Sequence, residues 1–357
     1  MIGRGIDQIL PHPSDPILFE PYMDDARGYV ELAERRNGAI PRAVDPSYIW
    51  GDALQVWEKM PPEVRVINLE TSITTSNDYW SGKMIHYRMH PANLPVLQTA
   101  KIDACVLANN HVLDWGYPGL LETLESLKQA GIQPIGAGQN RAEAESPAVV
   151  EVPGKGRVIV FAFGTESSGI PRDWGATADV PGVNLLPDLS DATVEYIRTL
   201  VERVKQPGDI VVASIHWGSN WGYQIPPEHI IFAQSLIERA NVDVIHGHSS
   251  HHVRALQVYH GKLILYGAGD LINDYEGIEG FEELRPDLAL LYLVNADPLT
   301  GRLVELRMVP MQIKHFKLNF ASYADALRLK NLLNREGKPF GARVEMTSDQ
   351  SLILEWQ

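Results

Sequence analysis

The chain reads as an α/β protein built on a largely parallel β-sheet. Three observations predict this: short β-branched runs alternate with amphipathic helical stretches, glycine- and proline-rich turns punctuate the joins, and several runs end in a chemically capable side chain. The runs Val64 to Leu69, Ala104 to Ala108, Asp209 to Ile215 and Val242 to Ile245 stop at Glu70, at Asn109-Asn110-His111, at His216 and at His246. Ligands of open parallel sheets bind outside the carboxyl ends of the strands, so these side chains are expected in one crevice.

The elements follow in order. Met1-Ile2-Gly3-Arg4-Gly5 is a glycine-rich turn with no strand before it, and Pro11 to Pro46 is a proline-studded excursion with a helical piece near Gly28 to Arg36. Excursions of that length often serve as lids or binding walls. Tyr48 to Lys59 is amphipathic and stops at Pro61-Pro62, which predicts a short helix. Pro91 to Ala100 reads as a helix, as does Gly116 to Ala130, with Leu120, Leu121, Leu124 and Leu127 at helical spacing and Gly131 as its stop. A short strand is expected at Gln133 to Ile135, and a hairpin from Ala148 to Val152 and Arg157 to Phe163 around Pro153-Gly154-Lys155-Gly156. Ser190 to Lys205 and Pro227 to Ala240 are helices that each lead into a histidine-ending strand. Ala255 to Tyr259 and Lys262 to Tyr266 form a hairpin before Gly267-Ala268-Gly269-Asp270. Strands at Leu288 to Asn295 and Arg302 to Pro310, a helix from Ser322 to about Arg335, and strands at Arg343 to Met346 and Leu352 to Trp356 complete the chain.

Composition excludes some function classes. The formal net charge of -14 leaves nothing to neutralise a phosphate backbone, so nucleic acid is not expected as a partner. An anionic substrate needs a local basic patch or a bound cation. The single cysteine, Cys105, rules out an intramolecular disulfide and sits in an apolar run as a small buried thiol. No apolar stretch is long enough to span a bilayer and no signal-peptide core is present, so a cytoplasmic location is expected, with a signal or anchor upstream of Met1 left open.

The chemistry concentrates at the strand ends. His246-Gly247-His248-Ser249-Ser250-His251-His252 places four of the twelve histidines within seven residues. Taken with Glu70, Asn110, His111 and His216, and with Asp270, Asn273 and Asp274 at a fifth strand end, they form a mixed oxygen and nitrogen donor set suited to Zn, Mn or Fe. Singly, each residue reads as a cap or a core polar group; as an ordered series they read as a site.

Asn68-Leu69-Glu70, Asn109-Asn110-His111, His216-Trp217-Gly218 and Gly247-His248-Ser249-Ser250-His251 resemble the successive blocks of the CapA-type capsule (poly-γ-glutamate) synthesis family, within the calcineurin-like metallophosphoesterase superfamily. Met1-Ile2-Gly3-Arg4-Gly5 resembles the tail of that family's first block, whose Gly-Asp pair has no counterpart here, so a start assigned too late is expected. The resemblance implies a four-layer αββα sandwich of two mixed sheets flanked by helices, lacking its first strand, over residues 1-313, with 314-357 as a packed extension. It implies one or two divalent metal ions (Mn, Zn or Fe) held by Glu70 as the bridging carboxylate, by Asn110, His216 and His248, and by His251 on the second ion. His111 is implied as the general acid. The spacing His248-x-x-His251 departs from the superfamily's His-x-His, which His246-Gly247-His248 keeps, so His246 stays open as a further ligand. Arg4, Lys83, His86 and Arg88, with Asp270, are the expected substrate-binding residues for an anionic small molecule or a polyglutamate-like chain. The expected function is a metal-dependent hydrolase of a phosphoester or γ-glutamyl amide; the alternative is a non-catalytic polymer-binding or assembly factor that keeps the fold.

Overall fold

The histidine-ending runs pair side by side. In the computed structural model, which describes residues 1–356, the strand Ile210–His216 lies between Val244–His248 and Gly156–Gly164, parallel to both. Its sequence Ile-Val-Val-Ala-Ser-Ile-His is nearly continuous in apolar residues, as a strand covered on both faces requires. Lys262–Leu265 continues the parallel set beyond Val244–His248, and the hairpin partners Leu256–Tyr259 and Ala148–Val152 close the two edges antiparallel, making six strands.

Two helices, Asp191–Glu202 and Pro227–Arg239, cover one face of this sheet, where Ile159, Phe161, Val211, Ile215, Ile245 and Ile264 meet Val194, Ile197, Phe232 and Leu236. Each helix starts as its sequence dictates. Ser190 accepts a hydrogen bond from the Thr193 N–H at 3.4 Å, and Pro227 fills a first-turn position that has no N–H to satisfy.

A second, three-stranded sheet is wholly parallel: Val66–Asn68, Ala104–Val106 and Gln133–Ile135. A third is antiparallel and joins Leu288–Ala296, Leu303–Lys314, Leu352–Trp356 and Ala342–Met346, with Lys317–Phe320 pairing the second of these. The chain beyond 313 is thus hydrogen-bonded into the sheet that precedes it, and the helix Tyr323–Gly337 adds Leu329 and Leu333 to the core beneath. Mixed sheets and flanking helices bear out the α/β class. The resemblance implies two mixed sheets; here the strands form three main ones, with Val66–Asn68 and Leu288–Ala296 each at a sheet edge and not paired with each other.

Local departures have identifiable causes. The expected helix Tyr48 to Lys59 breaks into a 3₁₀ turn and a helix from Ala53 to Lys59 at Gly51, whose φ is +42°; a Cβ there would sit 2.1 Å from the Leu318 carbonyl. The expected helix Pro91 to Ala100 becomes a 3₁₀ turn, Pro91–Asn93, and a short helix, Pro95–Thr99, because Pro95 can only open a helix. The strand expected to stop at Pro310 runs on to Lys314. Pro310 falls between two partners on that edge, Met308 lying opposite Leu352 and Met311 opposite Phe320.

Candidate functional site

The parallel register decides which side chains meet. His216 is paired with His248 and Ser214 with His246, so four polar side chains at two neighbouring strand ends share one face. His216 Nδ1 lies 2.7 Å from His248 Nδ1, while Ser214 Oγ lies 3.0 Å from His248 Nε2 and 2.9 Å from His246 Nδ1. The second sheet supplies the other wall. Asn110 Oδ1 is 3.2 Å from His216 Nε2, and Glu70 Oε1 is 3.8 Å from the same nitrogen. Glu70 is steadied by the Asn68 amide, which donates to its Oε2 at 2.8 Å; the Asn109 amide donates to Asn68 Oδ1 and to the Leu69 carbonyl. A hydrogen-bonded series therefore runs from His246 through Ser214, His248 and His216 to Asn110, with Glu70 standing 3.8 Å from His216 Nε2.

Burial sets the charges. It drives the proton affinity of His216 and His248 well below the ordinary imidazole range, helped by neighbouring histidines, and lowers His246 to about 4. All three rings are neutral at pH 7, the state in which imidazole binds a metal or relays a proton. Burial also raises the Glu70 carboxyl, against the opposing pull of His251. His251 behaves differently. Burial lowers it, but the Asp270 carboxylate, 3.2 Å from Nδ1, outweighs that and raises it; Tyr275 Oη stands 3.4 Å from Nε2. Asp270 is held below the usual carboxylate range because His251 offsets its burial.

His111 forms a separate trio. Its Nδ1 lies 2.7 Å from Asp114 Oδ2, and Nε2 is the ring's free nitrogen. The Lys83 ammonium contacts Nδ1 at 2.9 Å and also bonds the other Asp114 oxygen and the Asn110 carbonyl. Burial, then Lys83, lowers His111 well below the imidazole range, and burial lifts Asp114 to about 6 despite the same lysine. Asp114 is not among the residues that the sequence singles out. The spacing His111-x-x-Asp114 was the signal, one loop turn that brings carboxylate to imidazole. Ser214 was also missed; its signal is the shared offset of two residues from a strand-ending histidine, matching His246.

Three of the residues expected to face a substrate are turned to other tasks. Arg4 is buried and donates to Asp274, Glu20 and Tyr29. Arg88 donates to the Ser76 and Asp15 carbonyls and to Asn77, and lies over Trp115. His86 has no exposed surface, and its Nε2 meets the Trp80 carbonyl. Of the four basic residues named, Lys83 is the one that contacts His111.

The donor set fits a divalent cation in kind, since it joins a carboxylate, an amide oxygen and uncharged imidazoles. Its spacing is that of a hydrogen-bonded cluster. Among the described residues no group of three or more His, Cys, Asp or Glu side chains is arranged to hold a metal ion, and both ring nitrogens of His248 are spent on protein partners. Glu70, Asn110 and His216 are the residues that would take up an ion, with His248 next in line.

Comparison with known proteins places the chain among relatives. The family model "Bacterial capsule synthesis protein PGA_cap" matches residues 1–275. A protein of Mycobacterium tuberculosis strain H37Rv, named a probable polyglutamine synthesis accessory protein, is 48% identical over 353 residues, covering 99% of this chain and 93% of its own. The PGA biosynthesis protein CapA of Bacillus subtilis strain 168 is 26% identical over 294 residues, 81% of this chain and 70% of that one. The capsule biosynthesis protein CapA of Bacillus anthracis is 27% identical over 195 residues, 54% and 46% of the respective chains.

Proposed function

The chain belongs to the bacterial capsule synthesis PGA_cap family, and from that premise we propose that it is a metal-dependent hydrolase that acts during assembly of a glutamate polymer, on a metallophosphoesterase-like four-layer scaffold. The observation that carries the reading is the convergence of Glu70 and Asn110 on His216 Nε2, from the carboxyl ends of separate parallel strands, beside a buried His111–Asp114 pair. When bound, a divalent cation supplies an electrophile for a phosphoryl or acyl oxygen and a source of hydroxide near neutral pH.

The chain's own residues do the remainder. Asp114 and Lys83 hold the His111 ring at Nδ1, so that Nε2 is the atom at which a proton is moved. Lys83 holds Asp114 charged and contributes the local positive charge that an anionic substrate needs, since the chain's net charge of -14 repels a polyanion at longer range. Asp270 raises the proton affinity of His251, the opposite direction from His216 and His248, on the far side of the site.

A second reading has a specific observation in its favour. The histidines are paired with each other and with Ser214, and the described residues form no ready cage for an ion. That arrangement suits a binding or assembly factor which keeps the scaffold without the chemistry. One experiment separates the two. The purified protein is dialysed against Mn²⁺ or Zn²⁺, its metal content measured, and cleavage of bis(4-nitrophenyl) phosphate and of γ-glutamyl-4-nitroanilide followed for wild type, E70Q, H216A and D114N. The hydrolase reading expects bound metal, lost in E70Q and H216A, with turnover down about 10²-fold or more in D114N at unchanged metal content. A metal-free, inactive protein that still retains poly-γ-glutamate would establish the assembly factor instead.

A further inference from the structure

Three of the four basic residues expected at the site are engaged elsewhere, yet an anionic chain still needs positive charge along its path. The far side of the histidine segment supplies it. The turn from Gly218 to Trp221 is tied to that segment residue by residue. The Gly218 carbonyl accepts from Ser249 Oγ at 3.1 Å, the Asn220 carbonyl from the His251 N–H at 3.0 Å, and the Ser219 and Trp221 carbonyls from Arg254 Nη2 at 2.6 and 3.3 Å. Trp221 is thereby fixed beside the site, its ring centre 5.2 Å from that of His251 and its face stacked on Phe281 at 3.8 Å.

Arg254 itself lacks a counter-ion. It is 3% exposed, its Nε has no hydrogen-bond partner, and burial alone lowers its pKa to about 10, with no carboxylate to offset it. Arg4, equally buried, has Asp274 and Glu20 for that purpose. A buried cation is ordinarily paired; left unpaired, its field acts on whatever comes near. Beyond Trp221 the rings continue outwards. The His252 ring lies 6.2 Å from Trp221 and 4.8 Å from Tyr223, centre to centre, and Arg335 Cζ stands 5.0 Å from the centre of Tyr223. Arg328 lies two turns earlier on the same helix, about 10 Å away, and donates to the Glu283 carbonyl at 2.9 Å. Burial raises the Tyr223 phenol, and both guanidiniums oppose that rise. Arg335 pairs with Glu336 at 2.6 Å but stays 62% exposed, and Arg328 is exposed too. An exposed pair of that kind adds little and exchanges readily.

On the premise that the protein acts on a glutamate polymer, we propose that the half-buried rings of Trp221 and Tyr223, flanked by Arg328 and Arg335 and backed by Arg254, form a docking track that leads an anionic γ-glutamyl chain to the His251 side of the site. Planar amides and methylene pairs of such a chain pack on the aromatic faces, and its carboxylates pair with the guanidiniums. Two exposed arginines about 10 Å apart, with Glu283 and Glu336 close by, suit carboxylates set several bonds apart. They do not suit a nucleic acid strand, which carries a phosphate about every 3.4 Å.

The probe is γ-linked hexaglutamate, titrated calorimetrically into the protein at low ionic strength with EDTA present, so that binding is read apart from any hydrolysis. R328E/R335E is expected to weaken binding roughly 10-fold or more, the effect of losing two exposed charge pairs. Hydrogen exchange of the unaltered protein covers the case of a variant that folds poorly. With the hexamer at about ten times its Kd, amides of residues 219 to 223 should exchange roughly 5-fold more slowly or better. The proposal falls if the wild type does not bind the hexamer, if the folded variant loses less than that, if exchange at 219 to 223 is unchanged, or if decathymidylate binds more tightly than the hexamer. A wild type that cleaves γ-glutamyl-4-nitroanilide yet fails these tests keeps the hydrolase and loses the track; one that passes them and cleaves nothing keeps the track alone.

Discussion

Arg4 shows how far a residue's role depends on partners distant in the chain. Read in sequence, it stands near a glycine turn and suggests a positive wall for an anion. Folded, its guanidinium bonds Asp274 at 2.7 Å and Glu20 at 3.2 Å, lies 3.9 Å from the centre of the Tyr29 ring, and has almost no exposed surface. No periodicity could have revealed this, because Asp274 is 270 residues away. Lys83 and His111 meet through a short stretch of chain, whereas the side-chain partners of Arg4, His86 and Arg88 include residues that no local pattern names. The physical expectation follows from burial. Replacing Arg4 with Met strands two buried carboxylates, so stability should fall by about 3–5 kcal/mol, the usual cost of breaking a buried ion pair from one side. Urea unfolding measures it. A variant of unaltered stability that lost affinity for poly-γ-glutamate would instead restore Arg4 to the substrate.

At the scale of elements, the strands were easier to read than their register. Each β-branched run ended where a histidine, asparagine or glutamate began, and the observed boundaries differ from those read off the sequence by one or two residues at most of these ends. What sequence pattern does not carry is the alignment of neighbours, which here sets His216 beside His248 rather than one residue away from it. Gly247 explains how the strands come so close. A Cβ at this position would meet the Leu265 and Tyr266 carbonyls at 2.6 and 2.7 Å and Trp217 Nε1 at 2.7 Å, so the backbone of one strand lies directly against its neighbours. Gly247→Ala should therefore act as overpacking does, costing about 1–3 kcal/mol, and should push His248 away from His216. Two-dimensional NMR of the imidazole nitrogens would record the second effect as loss of the coupling between the two Nδ1 atoms. If Gly247→Ala kept wild-type stability and that coupling, the close approach would not be what positions the pair.

Over the whole molecule the buried histidines tie stability to pH, and His229 gives the cleanest measure because it lies outside the site. It packs flat against Trp217, with ring centres 4.5 Å apart, and is 3% exposed. Burial lowers its pKa to about 4, with Arg254 adding to the effect and Glu228 opposing it. The sign follows from proton counting. Between the unfolded value of about 6.5 and the folded value, the unfolded chain binds a proton that the folded chain refuses, so stability rises with pH through this window. The contribution is complete above about pH 6.5 and is lost as pH falls towards 4. His246, His252 and the rings of the central cluster share this direction, while Asp114 opposes it because the folded state holds its carboxyl proton up to about 6. The total slope therefore mixes signs, but a difference between two proteins isolates one ring. His229→Phe keeps an aromatic ring on Trp217 and removes the titration. Between pH 7.5 and pH 4.5 the wild type should lose about 2.5 kcal/mol more stability than the variant, the free energy set by a shift of that size. Urea midpoints at four pH values across that range supply the comparison. Parallel losses in the two proteins would show that His229 titrates in the folded chain as freely as it does in the unfolded one.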